Sequence, residues 1–140
     1  MPARQASCVA IAGRALLIEG PPGCGKSSLA LMLIDRGAAL VGDDSLLLDA
    51  ENGLLLARPH PKTRGLLEVR NLGLIEMPVC EGAAVSLVIR LDEAAPRYVE
   101  EPDTVEIESI PLPMLRLWPN SPALALKAEL ALARFGKGID

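Results

Sequence analysis

The chain has 140 residues, 14 basic and 18 acidic side chains, a net charge of -4 and a pI near 5.0. That length suits one domain over residues 1–140, and the acidic balance excludes a nucleic-acid surface, which needs clustered Lys and Arg. Half of the residues are hydrophobic but only Tyr98, Trp118 and Phe135 are aromatic, so the core is expected to be Leu, Ile, Val and Ala, without the base-stacking platforms of nucleic-acid binders.

Ser7 to Ile11 reads as a strand, and Ala12-Gly13-Arg14 as a tight turn into a second strand, Ala15 to Ile18, which together make an antiparallel hairpin. Gly20-Pro21-Pro22-Gly23-Cys24-Gly25-Lys26-Ser27 follows, a Gly-x-x-x-x-Gly-Lys-Ser phosphate loop. The segment from Ser28 to Arg36 reads as a helix that stops near Gly37, with Leu29, Ala30, Met32 and Leu33 turned toward a sheet. Strand, loop and helix are the setting in which backbone N–H groups cradle a polyphosphate, from Gly20 through Ser28. Lys26 would add a point charge at the outer phosphates and Ser27 a hydroxyl ligand to Mg²⁺. A hairpin partner for the phosphate-loop strand implies a mixed sheet with substantial antiparallel content.

Ala38 to Val41 is a short strand ending in Gly42-Asp43-Asp44. Adjacent carboxylates repel unless a Mg²⁺ ion, Lys26 or a shared proton compensates them, so the pair is a candidate for catalysis or metal binding. Ser45 to Leu48 and Leu54 to Leu56 read as a hairpin turned by Asn52-Gly53. Arg58 to Gly65 is a polar loop broken by proline, and its His60, flanked by Pro59 and Pro61, reads as a surface residue. In Gly65 to Ile75, Glu68 and Arg70 interrupt an apolar segment, either as an amphipathic edge or as a pair aimed at a ligand. Ala84 to Asp92 resembles a Walker B strand whose acid competes with Asp43 and Asp44 for Mg²⁺. Val105 to Ile110 alternates like a half-exposed strand, with Pro111 to Pro113 leading into Met114 to Trp118. Pro122 opens a final, largely apolar helix that ends near Arg134, before Gly136, and is expected to pack closely or to meet a neighbouring subunit.

Cys8, Cys24 and Cys80 show neither paired metal-ligand spacing nor a disulfide framework, which suggests a reducing compartment. No apolar run approaches the length of a membrane span, and the N-terminus lacks a secretory core, so a cytoplasmic protein without a membrane partner is expected.

The phosphate loop, Leu40-Val41-Gly42-Asp43-Asp44, Glu68-Val69-Arg70-Asn71-Leu72-Gly73-Leu74-Ile75 and the apolar final helix occur in an order that resembles the catalytic domain of HPr kinase/phosphorylase, in its short form without an N-terminal domain. The resemblance implies an α/β P-loop domain with a mixed, hairpin-rich sheet, similar to the nucleotide domain of phosphoenolpyruvate carboxykinase. It further implies a kinase that uses ATP or pyrophosphate with Mg²⁺ to phosphorylate a seryl hydroxyl on HPr, a carrier protein of the sugar phosphotransferase system, and that reverses the reaction with inorganic phosphate. On that basis Lys26 holds the transferring phosphate, Ser27 and Glu68 ligate Mg²⁺, one of Asp43 and Asp44, with Asp44 favoured, takes the seryl proton, and Arg70 lies near substrate phosphate. The same resemblance implies a homo-oligomer, a hexamer. Three positions depart from the family pattern. Gln5 stands where a catalytic histidine is usual, Asn71 replaces a glycine, and Arg97 is the nearest match to a downstream catalytic arginine. A further family loop is replaced around Arg116 to Asn120. Those departures motivate a second reading, a nucleotide- or phosphate-sensing module that keeps the loop without catalysis. A third is a small-molecule kinase with Asp92 as its metal acid.

Overall fold

Two-residue turns shape much of the sheet. The computed structural model describes residues 3–138. Its strands are β1 (Ala3–Arg4), β2 (Ser7–Ile11), β3 (Arg14–Glu19), β4 (Ala39–Gly42), β5 (Leu46–Glu51), β6 (Leu54–Pro59), β7 (Leu66–Val69), β8 (Gly73–Glu76), β9 (Ala83–Leu91), β10 (Asp103–Ile107) and β11 (Ile110–Leu117). Its helices are α1 (Lys26–Asp35) and α2 (Leu124–Phe135). Ala12-Gly13 joins β2 to β3 and Asn52-Gly53 joins β5 to β6, with all four residues at positive φ, as a twist-matched hairpin turn requires. Both hairpins follow the sequence expectation. A third such turn, Glu108-Ser109 at φ 51° and 66°, does not. It folds β10 back onto β11, so Val105 to Ile110 is not one strand but parts of two. Pro111 and Pro113 lie within β11 rather than ahead of it, and both precede Met114, where pairing with β9 begins, so neither interrupts that ladder.

β9 is the trunk of the sheet. One edge runs parallel to β3 from Arg14↔Ala84 to Glu19↔Arg90. The other edge is shared: Ala83 and Ala84 pair antiparallel with β6, whereas Val88 to Leu91 pair parallel with β11. The main order is β1-β5-β6-β9-β3-β2-β4, with β11 and β10 branching from β9. The mixed, hairpin-rich α/β sheet expected from the sequence is therefore present.

Both faces of the central strands are covered, which is why β3 and β9 read as continuous apolar runs. Leu16, Ile18, Leu87 and Ile89 face α1 and α2 and pack with Leu29, Leu33, Leu124 and Leu132. Leu17 and Val88 face the opposite side, where Leu46, Leu48, Leu55 and Leu112 close a second core. The cores are aliphatic, and Tyr98 is 74% exposed. In α1, Leu29, Ala30 and Leu33 are buried, but Met32 faces outward at 37% exposure, unlike the sequence expectation. In α2, Leu124, Ala125, Ala128, Ala131 and Leu132 are buried while Leu126 and Leu130 remain exposed.

The segment holding Glu68 and Arg70 is a separate two-stranded hairpin, β7 with β8. Its turn is closed by the Leu72 N–H on the Val69 carbonyl at 2.9 Å. Asn71 occupies that turn at φ 74°. The backbone there is left-handed, which glycine adopts freely and asparagine tolerates better than most residues, so Asn71 keeps the turn the resemblance would place at a glycine.

Candidate functional site

The loop between β3 and α1 takes its shape from glycine. Gly20, Gly23 and Gly25 have φ of 154°, 78° and 104°, and the Cys24 N–H closes a turn on the Pro21 carbonyl at 3.2 Å. A Cβ at Gly20 would lie 2.6 Å from Cys24 Sγ and 3.2 Å from the Leu91 carbonyl, so the loop hugs the end of β9 as only glycine allows. Gly25 caps α1 without a side-chain hydrogen bond. The first-turn N–H groups of α1 are thus left for an anion, at the positive end of the helix dipole. Lys26 Nζ donates to the Gly20 and Pro21 carbonyls at 3.0 and 3.3 Å, which holds the ammonium across the loop.

Asp43 organises the far wall. It is 7% exposed at the end of β4. One carboxylate oxygen accepts from Ser7 Oγ at 2.8 Å and from Ser27 Oγ at 2.6 Å, and the other accepts from the Glu68 backbone N–H at 3.0 Å. Three donors from β2, α1 and β7 therefore converge on one buried charge. Charge-assisted bonds of this kind are about twice as strong as neutral ones and fix the relative positions of what they join. The compensation expected for the acid pair is supplied here by two hydroxyls and an amide, not by Lys26.

Asp44, next in the chain, does the opposite. It is exposed, adopts φ 61°, and lines a cavity of about 380 Å³ together with Lys26, Ser27, Ser28, Glu68 and Arg70. Pro22, Gly23 and Gly25 form the loop side of that cavity. Arg70 Nη2 stands 3.9 Å from where a Gly23 Cβ would be, so its guanidinium overhangs the loop. The two adjacent acids are thus divided, one buried as a clamp and one exposed in the cavity.

The donor set fits a polyphosphate with magnesium. Loop amides, Lys26 and Arg70 suit phosphate oxygens. Ser27 gives its hydroxyl hydrogen to Asp43, which leaves the oxygen lone pairs for a cation. The Glu68 carboxylate is exposed and lines the same cavity. Among the described residues no three His, Cys, Asp or Glu side chains converge as a self-sufficient cage. Magnesium needs no such cage, because it keeps waters and takes phosphate oxygens beside one or two carboxylates.

Other candidates lie elsewhere. Arg97 is exposed in the connection between β9 and β10 and does not line the cavity, so the structure does not bring it to the loop. Gln5 is exposed just ahead of β2, outside the cavity lining. His60 Nδ1 accepts the Lys62 N–H at 3.2 Å, a local turn contact. Asp92 follows β9, accepts the Ala94 N–H at 2.8 Å and faces Arg116 at 3.8 Å. It borders the outer flank of the loop, apart from Ser27. Ser7 is the residue that sequence reasoning missed. A strand serine gives no local signal, and its partner Asp43 is 36 positions away.

Residues 2–111 match the family described as HPr Serine kinase C-terminal domain. The chain is 34% identical to the HPr kinase/phosphorylase of Clostridium novyi (strain NT), in an alignment that covers 94% of this chain and 47% of that protein. It is 30% identical to the HPr kinase/phosphorylase of Mycoplasma mycoides subsp. mycoides SC, covering 79% of this chain and 41% of that one. The chain thus spans about half the length, or less, of these curated relatives. Among solved structures, the HPr(Ser) kinase/phosphatase from Coxiella burnetii superposes with a TM-score of 0.84 at 28% sequence identity over 95% of both chains.

Proposed function

The chain belongs to the HPr Serine kinase C-terminal domain family, and from that premise we propose that it is a serine kinase, dependent on magnesium and a nucleotide or pyrophosphate, that acts on HPr or an HPr-like carrier protein. The observation that carries this reading is the Asp43 clamp, which gathers Ser27 and Glu68 around the cavity that Lys26, Asp44 and Arg70 also line.

Each residue then has a task. The loop amides and Lys26 bind the donor's outer phosphates, and Arg70 neutralises charge on the transferring group. Ser27 and Glu68 would hold the magnesium ion, whose chemistry is to offset phosphate charge. Asp44 accepts the seryl proton as the hydroxyl oxygen attacks phosphorus and the bond to the leaving phosphate breaks. In phosphorolysis the same carboxyl group returns the proton. Asp43 is a positioning residue, because its carboxylate is committed to three donors. The open cavity and the apolar Leu72 and Leu74 at the tip of the neighbouring β7–β8 hairpin, 72% and 66% exposed, suit a protein acceptor better than an enclosed small molecule. Leu126 and Leu130 on α2 offer an apolar surface for the proposed homo-oligomer.

The test is incubation with HPr, labelled ATP and Mg²⁺, with the modified residue read by mass spectrometry. Phosphoserine on HPr is expected, and its loss in Asp44→Asn. Nucleotide binding without transfer, beside an active control enzyme, would replace the kinase by the sensing module, a reading motivated by Gln5 and by an Arg97 that does not line the cavity.

A further inference from the structure

β2 lies between β3 and β4 in the sheet, so it stands between Asp43, just past β4, and the phosphate loop that follows β3. The antiparallel register that pairs Cys8 with Gly42 brings Ser7, the first residue of β2, level with Asp43. On its other side Ser7 pairs with Ile18, two residues before Gly20 opens the loop. Ser7 is 1% exposed, and its hydroxyl donates to Asp43 Oδ1 at 2.8 Å, the oxygen that also accepts from Ser27 Oγ at 2.6 Å.

Three bonds are what a carboxylate needs to be fixed completely. Those from Ser27 to Oδ1 and from the Glu68 N–H to Oδ2 define a line through the two oxygens, and the group can still swing about that line. The bond from Ser7 fixes the plane. The direction of the Ser27 O–H follows from that plane, because its hydrogen points to Asp43 and its lone pairs are left for the cavity it lines. Groups one bond removed from a metal ligand orient it, and their loss costs roughly 10- to 100-fold in metal affinity.

We propose that Ser7 is a positioning residue for the divalent cation: through Asp43 it holds the Ser27 hydroxyl in the orientation in which its oxygen serves as a ligand. This rests on the reading of Ser27 and Glu68 as magnesium ligands in the preceding section, and adds to it a residue that touches neither metal nor phosphate. The loop amides and Lys26 belong to the β3–α1 connection and do not depend on Ser7, so its hydroxyl governs the cation's share of affinity and not the phosphate's.

Ser86 supplies the control. It is the other buried serine among the described residues, and its hydroxyl also serves two partners, donating to the Lys137 carbonyl at 2.6 Å and accepting from Arg14 Nη2 at 2.8 Å. It stands in β9 between the residues that pair with Ala15 and Leu16, near the end of β3 away from the loop. Pyrophosphate is titrated into the intact chain by calorimetry, once with Mg²⁺ and once with a chelator in its place, and the melting midpoint of each variant is recorded. Ser7→Ala is expected to weaken Mg-pyrophosphate roughly tenfold and leave metal-free pyrophosphate unchanged, and Ser7→Thr, which keeps the hydroxyl, to restore the affinity. Ser86→Ala should lower the melting midpoint with both affinities intact. Should Ser7→Ala fold poorly, Ser7→Cys, a weak donor of similar size, carries the same contrast. If the Ser7 variant binds Mg-pyrophosphate like wild type or loses both forms alike, if a folded Ser7→Thr binds no better than Ser7→Ala, or if Ser86→Ala loses as much, Ser7 only packs and the inference is overturned with the metal site intact. If wild type binds Mg-pyrophosphate no better than the metal-free form, the magnesium reading fails and the inference falls with it.

Discussion

The two flanks of the phosphate loop are built differently. The inner flank is cross-linked: Asp43 ties β2, α1 and β7 together through Ser7, Ser27 and the Glu68 amide. The outer flank consists of strand-end segments, where Asp92 faces Arg116 at 3.8 Å and Trp118 is held by the Ala95 carbonyl and the Lys127 ammonium. The proposed phosphoryl transfer depends on groups fixed in place before charge develops, which is what the buried clamp on the inner flank supplies. The difference separates a flank fixed by one buried charge from a flank held by single contacts at strand ends.

The contrast breaks most completely at Asp43. Asp43→Ala leaves three donors without their shared acceptor, and a loss of about 3 kcal/mol is expected, with the melting midpoint lower by roughly 10 °C and transferase activity abolished. Ser7→Ala, which removes one donor, should cost only about 1 kcal/mol in the same thermal scan. Asp44→Asn should lower turnover by roughly 10²–10⁴ with an unchanged melting midpoint, because asparagine accepts the left-handed backbone at φ 61° and the side chain is exposed. Equal loss of stability in Asp43→Ala and Asp44→Asn would erase the division of labour. Arg70→Ala is expected to reduce kcat/KM about a hundredfold, whereas Arg97→Ala, outside the cavity, should leave it within about twofold. The smallest effect concerns thiols. Burial, and to a lesser degree the neighbouring Cys80 sulfur, pushes the Cys8 thiol far above its ordinary value. At pH 8 a thiol reagent should therefore modify Cys24 and Cys80 in the folded chain and reach Cys8 only after denaturation. Prompt reaction of all three cysteines would contradict that packing.

Features written in neighbouring residues were legible. The glycines and Lys26 announce the loop, Asn52-Gly53 announces its turn, and the unbroken apolar runs of β3 and β9 announce strands covered on both faces. What escaped depends on tertiary context. Glu108-Ser109 forms the same left-handed turn with neither glycine nor asparagine, so its composition hides it. The hairpin of β7 and β8 turns on Asn71, and the apolar residues of β8 are exposed, so pattern alone left Glu68 and Arg70 open between edge and site. The Asp43-Asp44 pair was visible as loaded chemistry, but its division follows from which carboxylate meets Ser7 across the sheet. Order along the chain points to Arg97, but the β9–β10 connection keeps it out of the cavity lining.

The trunk position of β9 also sets a timetable. Glu19 and Arg90, paired across β3 and β9, are 71 residues apart in the chain. Contacts at such separations must overcome loop-closure entropy before they return any stability, and parallel pairs form slowly for that reason. A growing chain can close the β2–β3 hairpin early, yet the loop gains its backing from Leu91 only when the last residues of β9 arrive. The loop is thus among the late structures to mature, and a polyphosphate bound there should slow unfolding and leave the folding rate unchanged.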